Sequence, residues 1–153
     1  MKRVLFLFLF ISMISFTCRG IGYPKDPYIR QNNTVYYGNM GLPYVNIDSF
    51  VTISFSSSSC EYRDYGKDKN SVYFKNMKIE GADPASFVML EQGYYKDKRY
   101  LYFYGKRLEG SDSRKEIKFI KDNKDTDCIP WGDGGCVINN GHKYKDGLKI
   151  PNN

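Results

Sequence analysis

The sequence predicts a mainly β fold, made of repeated β-hairpin units with short helical turns as a minor α+β element and a C-terminal β-meander. Two observations predict it. The chain holds 14 tyrosines and 10 phenylalanines in 153 residues, and aromatic side chains suit the pleated, half-buried surface of a strand. In addition, Asp68–Phe74 recurs without a gap as Asp97–Phe103. Such a repeat indicates a small supersecondary unit that buries its apolar face against its neighbours.

The repeat defines the organisation of the chain. Residues 65–83 align with residues 94–112, and Val35-Tyr36-Tyr37 aligns with Val72-Tyr73-Phe74. The predicted units are about 31–55, 65–92 and 94–120, followed by C-terminal hairpins over 121–153. We expect these units to form one repeat domain over residues 21–153.

Each unit is predicted to begin as a tight hairpin. Ser71–Phe74 is the first strand, and Lys78-Ile79 returns as the second. Asn76-Met77, and Gly105-Lys106 in the next unit, supply residues that tolerate positive φ at the turn. In the first unit, the alternation Val51, Ile53, Phe55 predicts a further strand.

A short helix is predicted after the hairpin. Asp83-Pro84 is typical of a helix start, with Asp as N-cap and Pro at the first helical position. Phe87 and Leu90 lie three residues apart, as on one face of one or two helical turns over Ala85–Leu90.

The C-terminal region departs from the repeat. Lys121-Asp122-Asn123 starts a fourth copy, which residues 125–135 interrupt. A three-stranded meander is then predicted over 137–150, because Asn140-Gly141 and Asp146-Gly147 are strong hairpin-turn signals.

The N-terminus predicts export. Residues 1–20 have a basic start, an apolar run too short to span a bilayer and small residues near its end, which is typical of a signal peptide. Cleavage after Gly20 would give a secreted protein, whereas cleavage before Cys18 would leave a cysteine for lipid attachment. Phe16 fits a lipid-attachment motif poorly, so the first alternative is favoured. The segment holds three basic and no acidic residues, so the net charge falls from +6 to +3 after export.

In an exported chain, cysteines are expected to form disulfides. Cys128 and Cys136 flank a short loop and are predicted to pair. Cys60 is then a buried free thiol, or it pairs with one of these two. The spacing of the cysteines and the single histidine do not fit a zinc site. Four acidic residues lie in or near this loop, namely Asp122, Asp125, Asp127 and Asp133. Their spacing lacks the ordered ligand positions of a calcium-binding loop, so we expect no metal and no cofactor.

One binding hypothesis concerns the aromatic residues. Tyr73, Tyr102 and Tyr104 could form a repeated face that stacks on sugars or contacts a protein, with Trp131 in the interrupting loop as a further contact. The alternative is that these tyrosines form the core of the repeat. Because successive side chains in a strand point to opposite faces, one set is expected to be less buried than the other. His142 is the single candidate base, beside a hairpin turn, and indicates a surface residue rather than a catalytic one.

The Asp-Lys-x-x-Val-Tyr-Phe stretches resemble the DKNYY family of bacterial exported proteins and lipoproteins. Asp68-Lys69-Asn70 with Tyr73-Phe74 carries the resemblance, which is clear from about Tyr65 to Asp112 and weaker out to Gln31 and Ile120. The region after Asp125 is expected to fall outside the family pattern. The resemblance implies an exported or envelope protein of undefined biochemical role, with no catalytic residues to carry over.

Together these features predict a non-catalytic binding or structural module that is secreted, periplasmic or attached to the envelope. Its partner would be a protein or a glycan at the cell envelope. Nucleic acid is not expected as a partner, because the charge is spread along the chain, and a membrane would be reached through a lipid anchor alone. The alternative is a cell-envelope enzyme acting on carbohydrate.

Overall fold

The structure of the protein is a computed structural model. It describes residues 26–56, 61–120, 128 and 135–151. These residues form fifteen short β-strands and one 3-10 helix, Ile47–Ser49. The strands are β1 Tyr28–Gln31, β2 Thr34–Tyr37, β3 Met40–Gly41, β4 Val51–Ser56, β5 Glu61–Lys67, β6 Val72–Phe74, β7 Met77–Lys78, β8 Val88–Met89, β9 Tyr94–Lys96, β10 Leu101–Phe103, β11 Lys106–Arg107, β12 Ile117–Ile120, β13 Cys136–Asn139, β14 His142–Lys145 and β15 Leu148–Ile150. The mainly β fold class is confirmed.

The described strands form four antiparallel sheets, ordered β1-β2-β3, β4-β5-β6-β7, β8-β9-β10-β11 and β12-β13-β14-β15. Each sheet contains one three-stranded meander, and we call the meanders β1–β3, β5–β7, β9–β11 and β13–β15 units 1 to 4. In sheets 2, 3 and 4 the first strand follows the preceding unit along the chain and pairs with the first strand of the next meander. These linking strands, β4, β8 and β12, tie each unit to the next through a backbone ladder.

The hairpin turns lie one residue earlier than the sequence predicts in units 2 and 3. Phe74 pairs with Met77, and Phe103 pairs with Lys106, so each loop has two residues. Lys75 has φ of +55°, and Tyr104 and Gly105 have +44° and +75°. The prediction of turns at Asn76-Met77 and Gly105-Lys106 is therefore wrong by one position, because pairing to the neighbouring strand fixes the register.

The predicted helix over Ala85–Leu90 is absent. Asp83 does accept the backbone N–H of Ser86, as an N-cap would, but the chain makes one turn and enters β8 at Val88. Pairing of Val88 with Lys96 in β9 satisfies backbone groups that a helix would otherwise have bonded internally. The equivalent segment of unit 1 keeps one helical turn, where Asn46 caps the 3-10 helix.

The core consists of three aromatic clusters, and each cluster lies between two consecutive units. Each combines a tyrosine, an aliphatic residue and a leucine or isoleucine of one unit with a tyrosine from the next. The cluster between units 1 and 2 contains Tyr28, Val35, Leu42, Phe50 and Tyr73. The cluster between units 2 and 3 contains Tyr65, Val72, Phe74, Ile79, Phe87, Tyr95 and Tyr102. The cluster between units 3 and 4 contains Tyr94, Leu101, Phe103, Leu108, Val137 and Tyr144.

As a result, the central strands of units 2 and 3, β6 and β10, are covered on both faces. Val72, Tyr73 and Phe74 are all buried, so the expectation that one set would be less buried is wrong. Alternation along β6 sends Tyr73 into the core shared with unit 1 and its two neighbours into the core shared with unit 3. A single hairpin would have left one face in water; the stacking of units removes that face from solvent.

The predicted C-terminal meander is confirmed as β13–β15, and β12 extends it to four strands. The fourth copy of the motif begins at Asn139 in the structure, whereas Lys121–Asn123 lie outside the described residues. Within the part of the chain that the structure describes, no helix is long and apolar enough to cross a membrane.

Candidate functional site

The acidic residue of the repeated motif forms a buried hydrogen-bonding centre between units. Asp97 is 2% exposed. Its Oδ1 accepts the backbone N–H groups of Arg99 at 2.7 Å and Tyr100 at 2.8 Å. Its Oδ2 accepts hydrogen bonds from the backbone N–H of Asp83 at 3.0 Å and from the hydroxyl of Tyr102 at 2.8 Å. Asp83 lies in the segment that links β7 of unit 2 to β8. All four donors point at one carboxylate, so Asp97 joins unit 3 to unit 2.

The same centre exists one unit earlier. Asp68 accepts the N–H groups of Asn70 and Ser71 on Oδ1, each at 2.7 Å. Its Oδ2 accepts the N–H of Asn46 at 2.7 Å and the hydroxyl of Tyr73 at 3.2 Å. We call this arrangement, an acidic or amide residue bonded to the preceding unit, the inter-unit staple.

In unit 4 the staple uses an amide. Asn139 accepts the N–H of Asp112 at 2.8 Å on Oδ1, and its Nδ2 donates to the carbonyls of Asp112 and Glu116. Tyr144, five residues after Asn139, donates instead to the carbonyl of Glu109 at 2.8 Å. The spacing Asp/Asn-x-x-x-x-Tyr therefore marks all three staples.

The surroundings of Asp97 favour its charged form. Burial alone would raise the pKa of Asp97, but the N–H groups of Tyr100, Arg99 and Asp83 favour the carboxylate and leave its pKa below the usual range. Burial raises the pKa of the Tyr73 phenol to about 12 and that of Tyr102 further. Both phenols are thus neutral donors at physiological pH, not candidate bases.

A second set of tyrosines connects each unit to the hairpin turn of the next. The Tyr28 hydroxyl donates to the carbonyls of Asp64 and Lys75 in unit 2. The Tyr65 hydroxyl accepts the N–H of Gly105 in unit 3 at 2.7 Å. Tyr94 repeats the pattern towards unit 4, donating to Gly135 O and accepting from Gly147 N–H.

Cys136 occupies the position of this docking tyrosine in unit 4. It is bonded to Cys128 with Cα atoms 5.3 Å apart, and both cysteines are buried. The predicted Cys128–Cys136 disulfide is confirmed. A covalent bond thus stands at the repeat position where units 1 to 3 use a tyrosine to contact the next unit.

A groove of about 410 Å³ lies between units 2 and 3 in the part of the chain that the structure describes. We call it the inter-unit groove. Its lining consists of Asn70, Lys78, Ile79, Gly81, Ala82, Asp83, Pro84, Lys98 and Arg99. Three of these side chains are cations and one is a carboxylate, so the lining carries a net positive charge.

Hydrogen bonds and ring contacts fix some of the cations of the groove. Arg99 donates to the carbonyl of Gly81 at 2.8 Å and lies 5.5 Å from the centre of the Tyr100 ring. Arg107 approaches the same ring at 4.7 Å, so two guanidinium groups contact one tyrosine ring. Lys98 is bonded to Asp83 at 3.1 Å. Lys78 Nζ lies 3.8 Å from a carboxylate oxygen of Glu80, so each of the three cations of the groove lining contacts an oxygen of the protein itself.

The residues that the sequence singles out for binding lie mainly inside the molecule. Tyr73 and Tyr102 are 0% exposed, which corrects the hypothesis of an exposed tyrosine face: these rings fill inter-unit cores. Tyr104 is 48% exposed at the turn of unit 3, against Phe74 and Phe103. Trp131 and the lipid-attachment candidate Cys18 lie outside the described residues.

Other candidates can be placed more briefly. His142 is half-buried, edge-on to Tyr144, and packs against Gly110. Cys60 and the calcium-loop residues lie outside the described residues; the latter are Asp122, Asp125, Asp127 and Asp133.

Sequence reasoning missed the staples and the groove for different reasons. The staples were detectable, because an acid or amide followed five residues later by tyrosine recurs at Asp68, Asp97 and Asn139. The groove was not, because Lys78 and Lys98 belong to different units that meet through the staple at Asp97. Their proximity depends on stacking rather than on spacing.

The fold and the staples define a class of protein: a stack of β-meanders in which each unit is hydrogen-bonded to the one before it. The family model described as DKNYY family matches residues 28–149, and the chain belongs to that family. The match runs through β13 and β14 into β15, so the expectation that the region after Asp125 lies outside the family pattern is wrong. No curated protein and no solved structure matches the chain.

Proposed function

We propose that this protein is an exported, non-catalytic binding module of the cell envelope, and that its inter-unit groove binds an anionic polymer. The observation that carries the proposal is the groove between units 2 and 3, with Lys78, Lys98 and Arg99 around about 410 Å³. Carboxylate or phosphate groups along a polymer are the chemistry that such a lining recognises.

The staples support a non-catalytic role. Asp68 and Asp97 are buried carboxylates that, in another setting, could serve as general acid or base. In this protein each accepts four hydrogen bonds from groups of its own and the preceding unit. A carboxylate engaged in this way holds units together and has little remaining capacity for a substrate proton.

Export is supported by residues 1–20, whose pattern is that of a signal peptide. The Cys128–Cys136 disulfide agrees with an oxidising compartment. The intact mass of the mature protein distinguishes cleavage after Gly20 from a lipid-bearing Cys18.

Binding is tested by titrating the purified protein with polyphosphate, polygalacturonate and neutral dextran at low and at high salt. We expect binding of an anionic polymer that weakens with salt, as screening requires, and none of dextran. The double variant Lys78→Gln/Arg99→Gln should lower the affinity by about tenfold or more, since hydrogen bonds to charged groups contribute on the order of 1.5–3 kcal/mol each.

The matched control is Lys115→Gln/Lys118→Gln, which removes the same charge from exposed residues outside the groove. It should bind like the native protein. Equal losses in the two double variants would mean that net charge alone attracts the polymer, and the groove would then not be the site. The ratio of polyphosphate to polygalacturonate affinity separates phosphate from carboxylate recognition.

A further inference from the structure

Unit 1 exposes a face that every later unit buries. Ile29 in β1 is 53% exposed. Its repeat equivalents Gly66, Tyr95 and Val137 are buried. The contrast arises because those three strands are covered by material from the unit before them, and the described residues place no such unit before β1.

The polar position of the face shows the same contrast. Gln31 is exposed, whereas its equivalents Asp68, Asp97 and Asn139 are at most 3% exposed and form the inter-unit staples. The Gln31 side chain has an amide oxygen that can accept an N–H in the same way.

Tyr36 completes the face. It is half-buried, whereas its equivalents Tyr73, Tyr102 and Tyr144 are 0% exposed. Unit 1 therefore retains the side chains of a docking surface, and we call Ile29, Gln31 and Tyr36 the unit 1 face.

The interfaces between units 1, 2 and 3 show what chemistry a neighbour of the unit 1 face would need. On units 2 and 3 the neighbour is a linking segment that starts with an Asx residue and continues through Phe and Val, namely 46–52 and 83–89. The Asx residue donates its N–H to the staple. The strand that follows pairs antiparallel with the first strand of the meander, as β4 does with β5 and β8 with β9.

We infer that the unit 1 face binds an extended segment of a partner polypeptide that adds to β1 as an antiparallel strand. The segment carries Asp or Asn, then an aromatic residue, then a β-branched residue, as 83–89 does. By equivalence with the Val88–Lys96 and Met89–Tyr95 pairs, the β-branched residue lies opposite Arg30 and the next residue opposite Ile29. Backbone bonds to an exposed strand edge supply the affinity, and side-chain matching supplies the specificity.

This surface lies on unit 1 and does not depend on the groove between units 2 and 3. Its probe is a synthetic peptide with the sequence of residues 83–92, and a scrambled peptide of the same composition serves as control. Binding to the full-length exported protein is measured by fluorescence anisotropy, and strand addition by slowed amide exchange in β1.

Two substitutions locate the site. Ile29→Lys places a charge on the proposed strand interface and should weaken peptide binding by about tenfold or more. Met40→Lys is the matched control, because Met40 is also 53% exposed and lies in β3 at the opposite edge of the same sheet. It should bind the peptide as the native chain does. Both positions are exposed, so both variants should fold.

The inference is supported if the peptide slows amide exchange in β1 and if Ile29→Lys, but not Met40→Lys, loses peptide binding. Equal binding of the scrambled peptide, or native affinity in Ile29→Lys, overturns it. So does a dimer that Ile29→Lys abolishes, since the occupant would then be a second copy. Binding that arises only after residues 1–25 are removed also overturns it, because the chain itself would then fill the edge.

Discussion

At the residue scale, the acidic residue of the repeated motif, Asp97 in unit 3, is a hydrogen-bond acceptor that joins two units. The buried carboxylate of Asp97 accepts three part-buried backbone N–H groups and the buried phenol of Tyr102. A buried donor without a partner costs more than a hydrogen bond contributes. This asymmetry explains why the motif keeps an acid or amide and a tyrosine five residues apart in units 2, 3 and 4.

Asp97→Ala should therefore lower the free energy of unfolding by about 3 kcal/mol, since three part-buried N–H groups and the buried Tyr102 phenol lose their acceptor at once. Urea denaturation measures the change. Asp112→Ala is the control, because the Asp112 side chain bonds to its exposed neighbour Arg114 and such pairs contribute about 0–1 kcal/mol. Equal losses in the two variants would contradict a special role for the staple.

The pH dependence is a second readout for the same residue. The folded-state pKa of Asp97 lies below its ordinary value, so its contribution is complete above about pH 4 and is lost as the pH falls through the folded-state pKa. In Asp97→Asn this acid-dependent loss should be smaller than in the native chain. An acid-dependent loss in Asp97→Asn as large as that of the native chain would show that other carboxylates dominate.

At the element scale, hairpin turns serve as the contact points between units. Phe74 of unit 2 rests on the turn glycine Gly105 of unit 3, and Phe103 rests on Gly147 of unit 4. A Cβ at either glycine would lie under 3 Å from the ring or its Cβ. These turns therefore need glycine for two reasons, the positive φ and the close approach of the preceding unit.

The two reasons can be separated by a pair of substitutions. Gly105→Ala and Gly141→Ala have nearly equal φ, +75° and +74°, but a Cβ at Gly141 meets nothing within 4 Å. Both should lose about 1 kcal/mol to backbone strain, and Gly105→Ala should lose about 1–3 kcal/mol more to overpacking against Phe74. Thermal unfolding measures the difference. If the two variants unfold together, the ring contact at Gly105 contributes nothing.

At the scale of the whole molecule, each core cluster joins only consecutive units. The stability of a unit should therefore depend mainly on its own contacts and on those with its immediate neighbours. Unit 4 has the disulfide at the repeat position of the docking tyrosine. Its stability should consequently depend on Cys128 and Cys136 more than that of the earlier units does.

The double variant Cys128→Ser/Cys136→Ser should lose about 2–3 kcal/mol, the value expected for closing so short a loop. Amide exchange should accelerate in β13–β15 more than in β5–β7. Uniform acceleration across both meanders would contradict nearest-neighbour stability and indicate one cooperative unit.

Local features of the fold were predictable from particular residues. The hairpins follow from aromatic and β-branched runs between turn residues, and the C-terminal meander follows from Asn140-Gly141 and Asp146-Gly147. The prediction failed where a second element decided the outcome. Val88 belongs to a strand because β9 is available to pair with it. The turns of units 2 and 3 lie one residue before the predicted positions because pairing with the neighbouring strand fixes the register of each hairpin.

The amino-acid sequence by itself determined the β class, the repeat, the Cys128–Cys136 pairing and the family, because each depends on local pattern or on short spacing. The tertiary structure alone decided that Tyr73 and Tyr102 are core, that Asp97 is a staple, that cations of two units share a groove and that Ile29 is exposed. These properties arise between units, where stacking removes one face of each later meander from water, whereas the described residues place no unit over the unit 1 face.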